Sequence, residues 1–242
     1  MTTQTSAGDQ QKFYYPPESI VENANITAYA REKGFANADE LYQWTIENPQ
    51  QFWAEMATRH LEWYQPWEQV LDESNAPFFK WFTGAKTNVV HNAIDRHATG
   101  ANKDKPAIIW ESEQGETKIY TYAQLAAEVN RFANVLKSQG VQKGDRVTVY
   151  MSRVPELVIA MLSIVKIGAM HSVVYGGFST EALHSRIEDA QSKVLITGDG
   201  GWMNNKIVEL KKITDEAVDR AHEIVQRVIV LKRTGHDIHM KE

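Results

Sequence analysis

The sequence predicts an α/β protein in which a helical N-terminal segment precedes part of a mostly parallel sheet with helices on both faces. Two observations lead to this fold class. Five of the seven tryptophans fall between residues 13 and 87, where apolar positions recur at helical spacing and strand patterns are scarce. From residue 146 to residue 231, short apolar runs rich in β-formers alternate with amphipathic helical patterns, which is typical of a parallel sheet buried between helices.

Composition sets the first limits on function. The chain has 242 residues, 43% of them hydrophobic and 24% charged, and a formal net charge of −5. This mild negative charge argues against general binding to nucleic acid. The absence of cysteine excludes disulfides and thiolate chemistry and, with no signal peptide visible, favours the cytoplasm. The most apolar stretch, 157–175, contains Lys166 and His171, so no membrane span is expected.

The N-terminal part divides into two predicted segments. Residues 1–12 are polar and are expected to be a disordered lead-in. Residues 13–87 are expected to form a helical wrapping segment whose aromatic side chains serve packing rather than ligand stacking. Its tryptophans are Trp44, Trp53, Trp63, Trp67 and Trp81.

The remainder, residues 88–242, is predicted to be the first part of the sheet domain. Thr121 and Gln124 form a capping box at the start of one helix, and Gly140 ends that helix. Strands are predicted at 107–110, 118–120, 146–150, 171–174, 194–197 and 227–231. Helices are predicted at 121–140, 155–167, 179–190 and 205–221.

Ligands bind at the carboxyl ends of the strands in such sheets, so the loops after Val149, Val174 and Thr197 are the candidate sites. The first loop offers Arg153, for which simple solvation is the favoured interpretation. In the second, Gly176 and Gly177 either let the backbone approach an anionic ligand or satisfy a tight turn with positive φ. Both interpretations stay open.

The third loop, 198–206, combines glycines with amide side chains and a cation. Asn204 and Asn205 offer donors, and Lys206 is predicted to lie at the start of a helix. A cation is unfavourable there for the helix dipole, which hints at a ligand phosphate. Lys211 and Lys212 are interpreted as solvated.

Several chemistries find no support in the sequence. It contains neither a Gly-x-x-x-x-Gly-Lys-Ser/Thr phosphate loop nor a Gly-x-Gly-x-x-Gly turn. Its histidines do not form a His-Glu-x-x-His pattern, so no metal site is predicted. No residue of this chain is predicted to be catalytic.

Seven strings in a fixed order carry a family resemblance: FFKWFTG at 78–84, NVVHNAIDRH at 88–97, AIIWE at 107–111, RFANVLK at 131–137, KGDRV at 143–147, IGAMHSVVYGGFS at 167–179 and VLKRTG at 230–235. Together they make the chain resemble the N-terminal part of acetyl-CoA synthetases over residues 13–234. The resemblance implies an incomplete N-terminal domain of an adenylate-forming enzyme.

The family's activity is a ligation in two half-reactions. Acetate and ATP, with Mg²⁺, give acetyl-adenylate and diphosphate, and the CoA thiol then displaces AMP. The resemblance places the ATP loop, the acyl and adenine pockets and a mobile C-terminal domain after Glu242. It therefore implies an N-terminal fragment that is inactive alone, with ATP and Mg²⁺ sites outside the chain.

What falls inside the chain, by resemblance, is part of the CoA site. Tyr175, Gly176 and Gly177 match the segment along the CoA nucleotide and pantetheine entrance. Residues 203–206 match the stretch where many members place two arginines near the CoA 3′-phosphate. Here Met203 supplies no charge, and Lys206 supplies a point charge without a bidentate fork. The candidate CoA-binding residues are Tyr175, Gly176, Gly177, Met203, Asn204, Asn205 and Lys206.

Three alternatives to an acetate–CoA ligase stay open at the level of sequence. A propionyl-CoA synthetase is one of them, because the resemblance places the acyl pocket outside the chain. A non-catalytic module could retain only CoA or nucleotide binding. A helical interaction module could self-associate through apolar surface left exposed by truncation.

Overall fold

The computed structural model describes residues 16–240, which form two compact units. The predicted disordered lead-in, residues 1–12, lies outside the described residues. The first unit spans residues 16–61 and 67–84. It contains α1 (Glu18–Glu22), α2 (Asn25–Lys33), α3 (Ala38–Glu47), α4 (Pro49–His60), β1 (Gln69–Asp72) and β2 (Lys80–Thr83).

The first unit is held together by aromatic side chains around a few buried aliphatic ones. The ring of Phe52 lies 4.9 Å from Trp53 and 6.4 Å from Trp44. Phe35 lies 5.8 Å from Trp44, and Leu41 of α3 is buried. The packing role expected for Trp44 agrees with these contacts. Within the predicted helical segment, residues 69–72 and 80–83 do not form helix but pair as the antiparallel ribbon of β1 and β2.

The second unit spans residues 62–66 and 85–240 and contains the predicted sheet. A π-helical turn at His91–Asp95 leads into α5 (Arg96–Ala98) and the antiparallel hairpin of β3 (Pro106–Glu111) and β4 (Thr117–Thr121). The elements that follow are α6 (Tyr122–Ser138), β5 (Arg146–Met151), α7 (Pro155–Lys166), β6 (Met170–Tyr175), α8 (Thr180–Ala190), β7 (Val194–Gly198), β8 (Gly201–Met203), β9 (Lys206–Val208), α9 (Leu210–Arg220) and β10 (Arg227–Leu231).

Four of these strands form a parallel sheet in the order β10-β7-β5-β6. The central strands β5 and β7 are buried along almost their whole length, as their apolar sequences require. Successive side chains face opposite sides of the sheet. Val147 and Val149 pack with Ile164 of α7 on one side, whereas Tyr150 and Leu195 meet α8 and α9 on the other. Helices on both faces are thus confirmed.

Local signals set the ends of the helices. Thr121 and Gln124 form the predicted capping box of α6, with the Gln124 N–H donating to Thr121 at 3.2 Å. Ser179 caps α8 by accepting the Ala182 N–H. None of the helices between residues 16 and 240 combines the length and the apolar character needed to cross a bilayer.

One predicted helix was wrong at its start. The helix expected over 205–221 begins only at Leu210, and the hairpin of β8 and β9 precedes it. Asn204 and Asn205, at φ of 51° and 57°, form the two-residue loop of this hairpin. Asparagine tolerates positive φ well, and two such residues in a row specify the hairpin turn that suits the twist of its strands. Lys206 therefore lies in a strand. The prediction of a ligand phosphate from a lysine at a helix start was wrong in its premise.

Candidate functional site

A cleft of about 290 Å³ lies in the second unit, beyond the carboxyl ends of β5 and β6 and beside the β8 strand. It brings together the three loops that the sequence singled out. The β3–β4 hairpin and a residue after β10 complete its walls. Its lining residues are Trp110, Glu111, Ser112, Glu113, Gln114, Met151, Ser152, Arg153, Val154, Tyr175, Gly176, Gly201, Trp202, Met203, Val208, Leu210 and Arg233.

The Gly176 turn is shaped by the chain's own backbone. A Cβ atom at Gly176 would lie 2.7 Å from the carbonyl oxygen of Met151, at the end of the neighbouring strand. At Gly177 a Cβ would lie 2.6 Å from the Tyr175 ring. The two glycines lie in a tight turn closed by the Phe178 N–H, which donates to the Tyr175 carbonyl at 2.9 Å, but neither has a positive φ, so that part of the tight-turn alternative was wrong. Close approach to the Met151 backbone is what requires glycine at 176.

Aromatic rings stand at the entrance on the same side. The Tyr175 ring lies 5.7 Å from Phe178 in an edge-on arrangement, and the Arg153 guanidinium lies 5.6 Å from the Tyr175 ring. Tyr150 fixes this turn from below, because its hydroxyl donates to the Phe178 carbonyl at 2.7 Å. Burial raises the pKa of Tyr150 to about 12, so the hydroxyl stays a neutral donor. Flat exposed rings next to a cation suit an aromatic base or a pantetheine chain.

Trp110 connects three walls of the cleft. Its indole Nε1 donates to the carbonyl of Arg153 at 2.8 Å, tying the β3 strand to the loop after β5. The Arg233 guanidinium lies 5.2 Å from the same ring and Lys118 Nζ lies 5.8 Å from it. The sequence indicated Trp110 as part of a strand and of a family-like string, but not as a residue of the site.

Arg233 is a lining cation that was not among the predicted site residues. It follows β10, and its side chain is 17% exposed and paired with Glu116 at 2.8 Å. The predicted candidate loops follow β5, β6 and β7, whereas Arg233 lies in the loop after β10, which is parallel to these strands and ends at the same edge. Applying the same edge rule to the string VLKRTG would have found it.

Asp199 anchors the turn that carries Arg233. The buried carboxylate accepts backbone N–H groups from Gly200, Arg233, Thr234 and Gly235 at 2.7 to 3.2 Å. Burial alone would raise the pKa of Asp199, but these four donors outweigh it and lower the pKa below its usual range. The carboxylate is therefore charged at neutral pH and joins the loops after β7 and β10.

The β8–β9 hairpin forms the remaining wall. Met203 lines the cleft, whereas the backbone N–H groups of Asn204 and Asn205 point to the Glu113 carboxylate at 3.3 and 3.1 Å. Lys206 is exposed, and no ion-pair partner for it occurs within residues 16–240. Lys206 thus offers an exposed positive charge on the strand that pairs with Met203.

The structure thus gathers part of the predicted CoA-binding set. Tyr175, Gly176 and Met203 line the cleft, and Gly177 and Asn204 directly follow two of these lining residues along the chain. Asn205 completes the hairpin loop, and Lys206 pairs with Met203 across the β8–β9 ribbon. Their binding of CoA stays a prediction. Across residues 16–240, no group of three or more His, Asp or Glu side chains converges in a way that could hold a metal ion.

Comparisons with known proteins give a consistent result. The chain is 45% identical to the acetyl-coenzyme A synthetase of Methanothrix thermoacetophila over 97% of its own length, and 49% identical to the 3-hydroxypropionyl-coenzyme A synthetase of Sulfurisphaera tokodaii over 84%. It covers 35% and 31% of those relatives, about a third of their length. The chain also resembles the solved structure of the acetoacetyl-CoA synthetase from Streptomyces lividans, with a TM-score of 0.83 and 25% sequence identity. This match covers 93% of the present chain and 35% of the synthetase chain.

Two family models divide the chain between them. The model described as the acetyl-coenzyme A synthetase N-terminus matches residues 38–93. The model described as AMP-binding enzyme matches residues 94–241, which is more than half of the chain and includes every residue that lines the cleft. The chain belongs to the AMP-binding enzyme family.

Proposed function

We propose that this chain is the N-terminal third of an AMP-forming acetate–CoA ligase and contributes scaffold and part of the CoA site. The observation that carries the proposal is the 45% identity to an acetyl-coenzyme A synthetase over 97% of the chain. We assign residues 13–87 to the N-terminal segment and 88–242 to the first part of the AMP-binding domain. The propionyl-CoA and non-catalytic alternatives have no comparable support.

The cleft fits the nucleotide end of CoA by its chemistry. Tyr175 and Phe178 offer ring faces at the entrance, and Arg153, Arg233 and Lys206 offer positive charge around it. Met203 stands where a charge would have strengthened phosphate binding. The Gly176 backbone lets the wall approach without a side chain in the way. In this assignment Tyr175, Gly176 and Met203 contact CoA directly, and Asn204, Asn205 and Lys206 border its phosphate.

The acyl group is the least constrained part of the proposal. A relative named for 3-hydroxypropionate is as similar over the shared region as one named for acetate. The cleft described here lies on the CoA side, and its residues do not discriminate between small acids. We assign acetate because acetyl-coenzyme A synthetases predominate among the similar relatives named.

The whole enzyme would use ATP and Mg²⁺ together with CoA. Catalysis in this scheme is chiefly positioning and electrostatic stabilisation of the developing charge. The 242-residue chain would bind CoA weakly and lack ligase activity by itself. Its cysteine-free composition supports a cytoplasmic location.

Two measurements test the proposal. Isothermal titration of the 242-residue chain with CoA should show binding that Lys206→Ala weakens about threefold to tenfold, since one phosphate contact is lost. Lys212→Ala is the matched control, because Lys212 is 68% exposed on α9 and pairs only loosely with Glu209 at 3.8 Å. Acetate-dependent ATP–diphosphate exchange by this chain would contradict the assignment of the ATP site elsewhere.

A competing hypothesis is an interaction module that self-associates. Its basis is an apolar groove of about 240 Å³ between α6, α7 and β10, with Phe132, Val135 and Ile229 among its lining residues. Concentration-dependent sedimentation without any CoA binding would favour this module. Binding of CoA by a monomer would favour the ligase fragment.

A further inference from the structure

We propose that Arg233 is the principal phosphate-binding cation of the cleft and that Glu116 competes with the phosphate for it. This inference rests on the proposed CoA site. It adds to that site Arg233, which is not among the predicted CoA-binding residues, and Glu116, which competes with the ligand for Arg233. The ligand class is a phosphate group on a nucleotide, with the CoA 3′-phosphate or its diphosphate as the two sources.

Arg233 is held for this role from both ends. Its backbone N–H donates to the buried Asp199 carboxylate at 2.8 Å, which fixes the turn. Its guanidinium lies 5.2 Å from the Trp110 ring, which fixes the side chain against the wall of the cleft. A cation that is already ordered loses less conformational entropy when it binds an anion than a flexible surface lysine does.

The other cations near the cleft are less suited. Arg153 lines the cleft but is exposed and lies over the Tyr175 ring. Lys206 is outside the lining residues, and Met203 carries no charge. Arg233 combines a lining position with a side chain that is only 17% exposed, so its charge acts where water screens it least.

Glu116 occupies Arg233 in the absence of ligand. The two side chains form an ion pair at 2.8 Å, and Glu116 also lies 3.7 Å from Lys118. Glu116 is 40% exposed and does not line the cleft, so it can turn to solvent or to Lys118 when a phosphate binds Arg233. A guanidinium has five N–H donors in a planar fork and binds phosphate in the bidentate manner it uses for carboxylates. The phosphate therefore replaces Glu116 at the same fork.

The test is isothermal titration of the full 242-residue chain and four variants. Arg233→Ala should lower CoA affinity about tenfold or more, because a charge-assisted contact is lost. Arg233→Lys should recover part of the loss, since it keeps the charge without the fork. Glu116→Gln should raise CoA affinity about threefold. In the double variant Arg233→Ala/Glu116→Gln, that gain should vanish.

Arg131 and Glu128 provide a matched control. They form an exposed ion pair at 2.8 Å on α6, away from the cleft, so Arg131→Ala and Glu128→Gln should leave CoA binding unchanged. If substitutions in the Arg131–Glu128 pair changed CoA affinity as much as those in the Arg233–Glu116 pair, general electrostatics would explain both results and the inference would be overturned. A Glu116→Gln variant that binds CoA more weakly would also overturn it, since Glu116 would then support Arg233 rather than compete with phosphate.

Two further probes separate the inference from the proposed function. Dephospho-CoA lacks the 3′-phosphate. If Arg233→Ala lowers the affinity for CoA but not for dephospho-CoA, Arg233 binds the 3′-phosphate. If the variant lowers the affinity for both, Arg233 binds the diphosphate. CoA binding that ignores Arg233 overturns the inference and leaves the CoA site standing. Inorganic diphosphate binding that depends on Arg233, without CoA binding, keeps the inference and rejects the CoA site. No binding of any probe rejects both.

Discussion

The Tyr175–Gly177 turn and the Met203–Lys206 turn are the two edges of the proposed CoA site, and they are built in opposite ways. The first is sterically tight, because a Cβ at Gly176 would meet the Met151 backbone at 2.7 Å. The second is an exposed hairpin loop with two positive-φ asparagines, whose backbone N–H groups point to Glu113. The packing of the sheet determines the conformation of the first edge, whereas the side chains of the second edge can be changed with fewer steric consequences.

This difference teaches where binding can be tuned. Residues in the tight edge are set by packing, so changes there alter folding before they alter ligand binding. In the hairpin, Asn204, Asn205 and Lys206 are exposed and Met203 is partly exposed, so changes there that keep the loop conformation reach the ligand with little effect on the fold. Met203 and Lys206, at which the resemblance predicts two arginines in many family members, both lie in this second edge.

The largest expected effect tests the tight edge. Gly176→Ala should lower the free energy of unfolding by about 2 kcal/mol, because the new methyl group must displace the Met151 backbone. Chemical denaturation with urea measures it. Gly177→Ala is the control, since its clash is with the half-exposed Tyr175 ring, which can rotate away. Equal losses for the two variants would contradict the distinction between backbone and side-chain contacts.

The next effect concerns the carboxylate behind the hairpin edge. Asp199→Asn should destabilise the chain by about 2 kcal/mol, because an amide cannot accept all four N–H groups. Since folding lowers the pKa of Asp199, its contribution is complete above the ordinary aspartate pKa of about 4 and is lost as the pH falls through the folded value. Urea denaturation at pH 7 and at pH 3 should therefore show a smaller difference between wild type and variant in acid. If the difference in unfolding free energy between wild type and variant were the same at both pH values, the charge of Asp199 would not be the cause of the destabilisation.

A smaller effect tests the hairpin loop itself. Asn205→Val should cost about 1 kcal/mol, because a β-branched side chain is strained at a φ of 57°. Asn205→Gly should leave stability unchanged or raise it by a few tenths of a kcal/mol, since asparagine followed by glycine is the preferred pair for such turns. Thermal unfolding of the two variants measures the contrast. If valine were tolerated as well as glycine, the hairpin would not be the structure in solution.

The smallest effect adds a charge to the hairpin edge. Met203→Arg should raise CoA affinity about threefold, because it places a guanidinium on a lining position without disturbing the sheet. Titration measures the affinity, and unfolding of the same variant should be unchanged. Met203→Gln is the uncharged control. A gain with glutamine equal to that with arginine would assign the effect to polarity instead of charge.

The sheet domain was largely predictable because its signals are local. Near-continuous apolar runs located β5, β6, β7 and β10, and Thr121 with Gln124 located the start of α6. The β8–β9 hairpin was not predicted, since Lys206 and Ile207 fit a helical pattern equally well and only the paired asparagines argue against it. The β1–β2 ribbon was masked by aromatic residues whose spacing suits either structure.

The candidate site was predictable loop by loop but not as a whole. The sequence placed Tyr175, Gly176 and Met203 at strand ends, where the sheet brings them to one cleft. It could not show that Gly176 is glycine because of Met151, since that contact joins residues on neighbouring strands. The partners of Arg233, Glu116 and Trp110, lie more than a hundred positions earlier, and no local pattern relates them.

The Asp199 carboxylate has a thermodynamic consequence for whatever the cleft binds. Because it hydrogen-bonds both Gly200 and the turn after β10, two walls that belong to separate loops behave as one piece. A ligand that contacts both walls binds to walls that are already ordered, because the entropy cost of ordering the two loops is incurred during folding and not during binding. Each contact in the cleft can therefore contribute more to affinity than the same contact on independently moving loops.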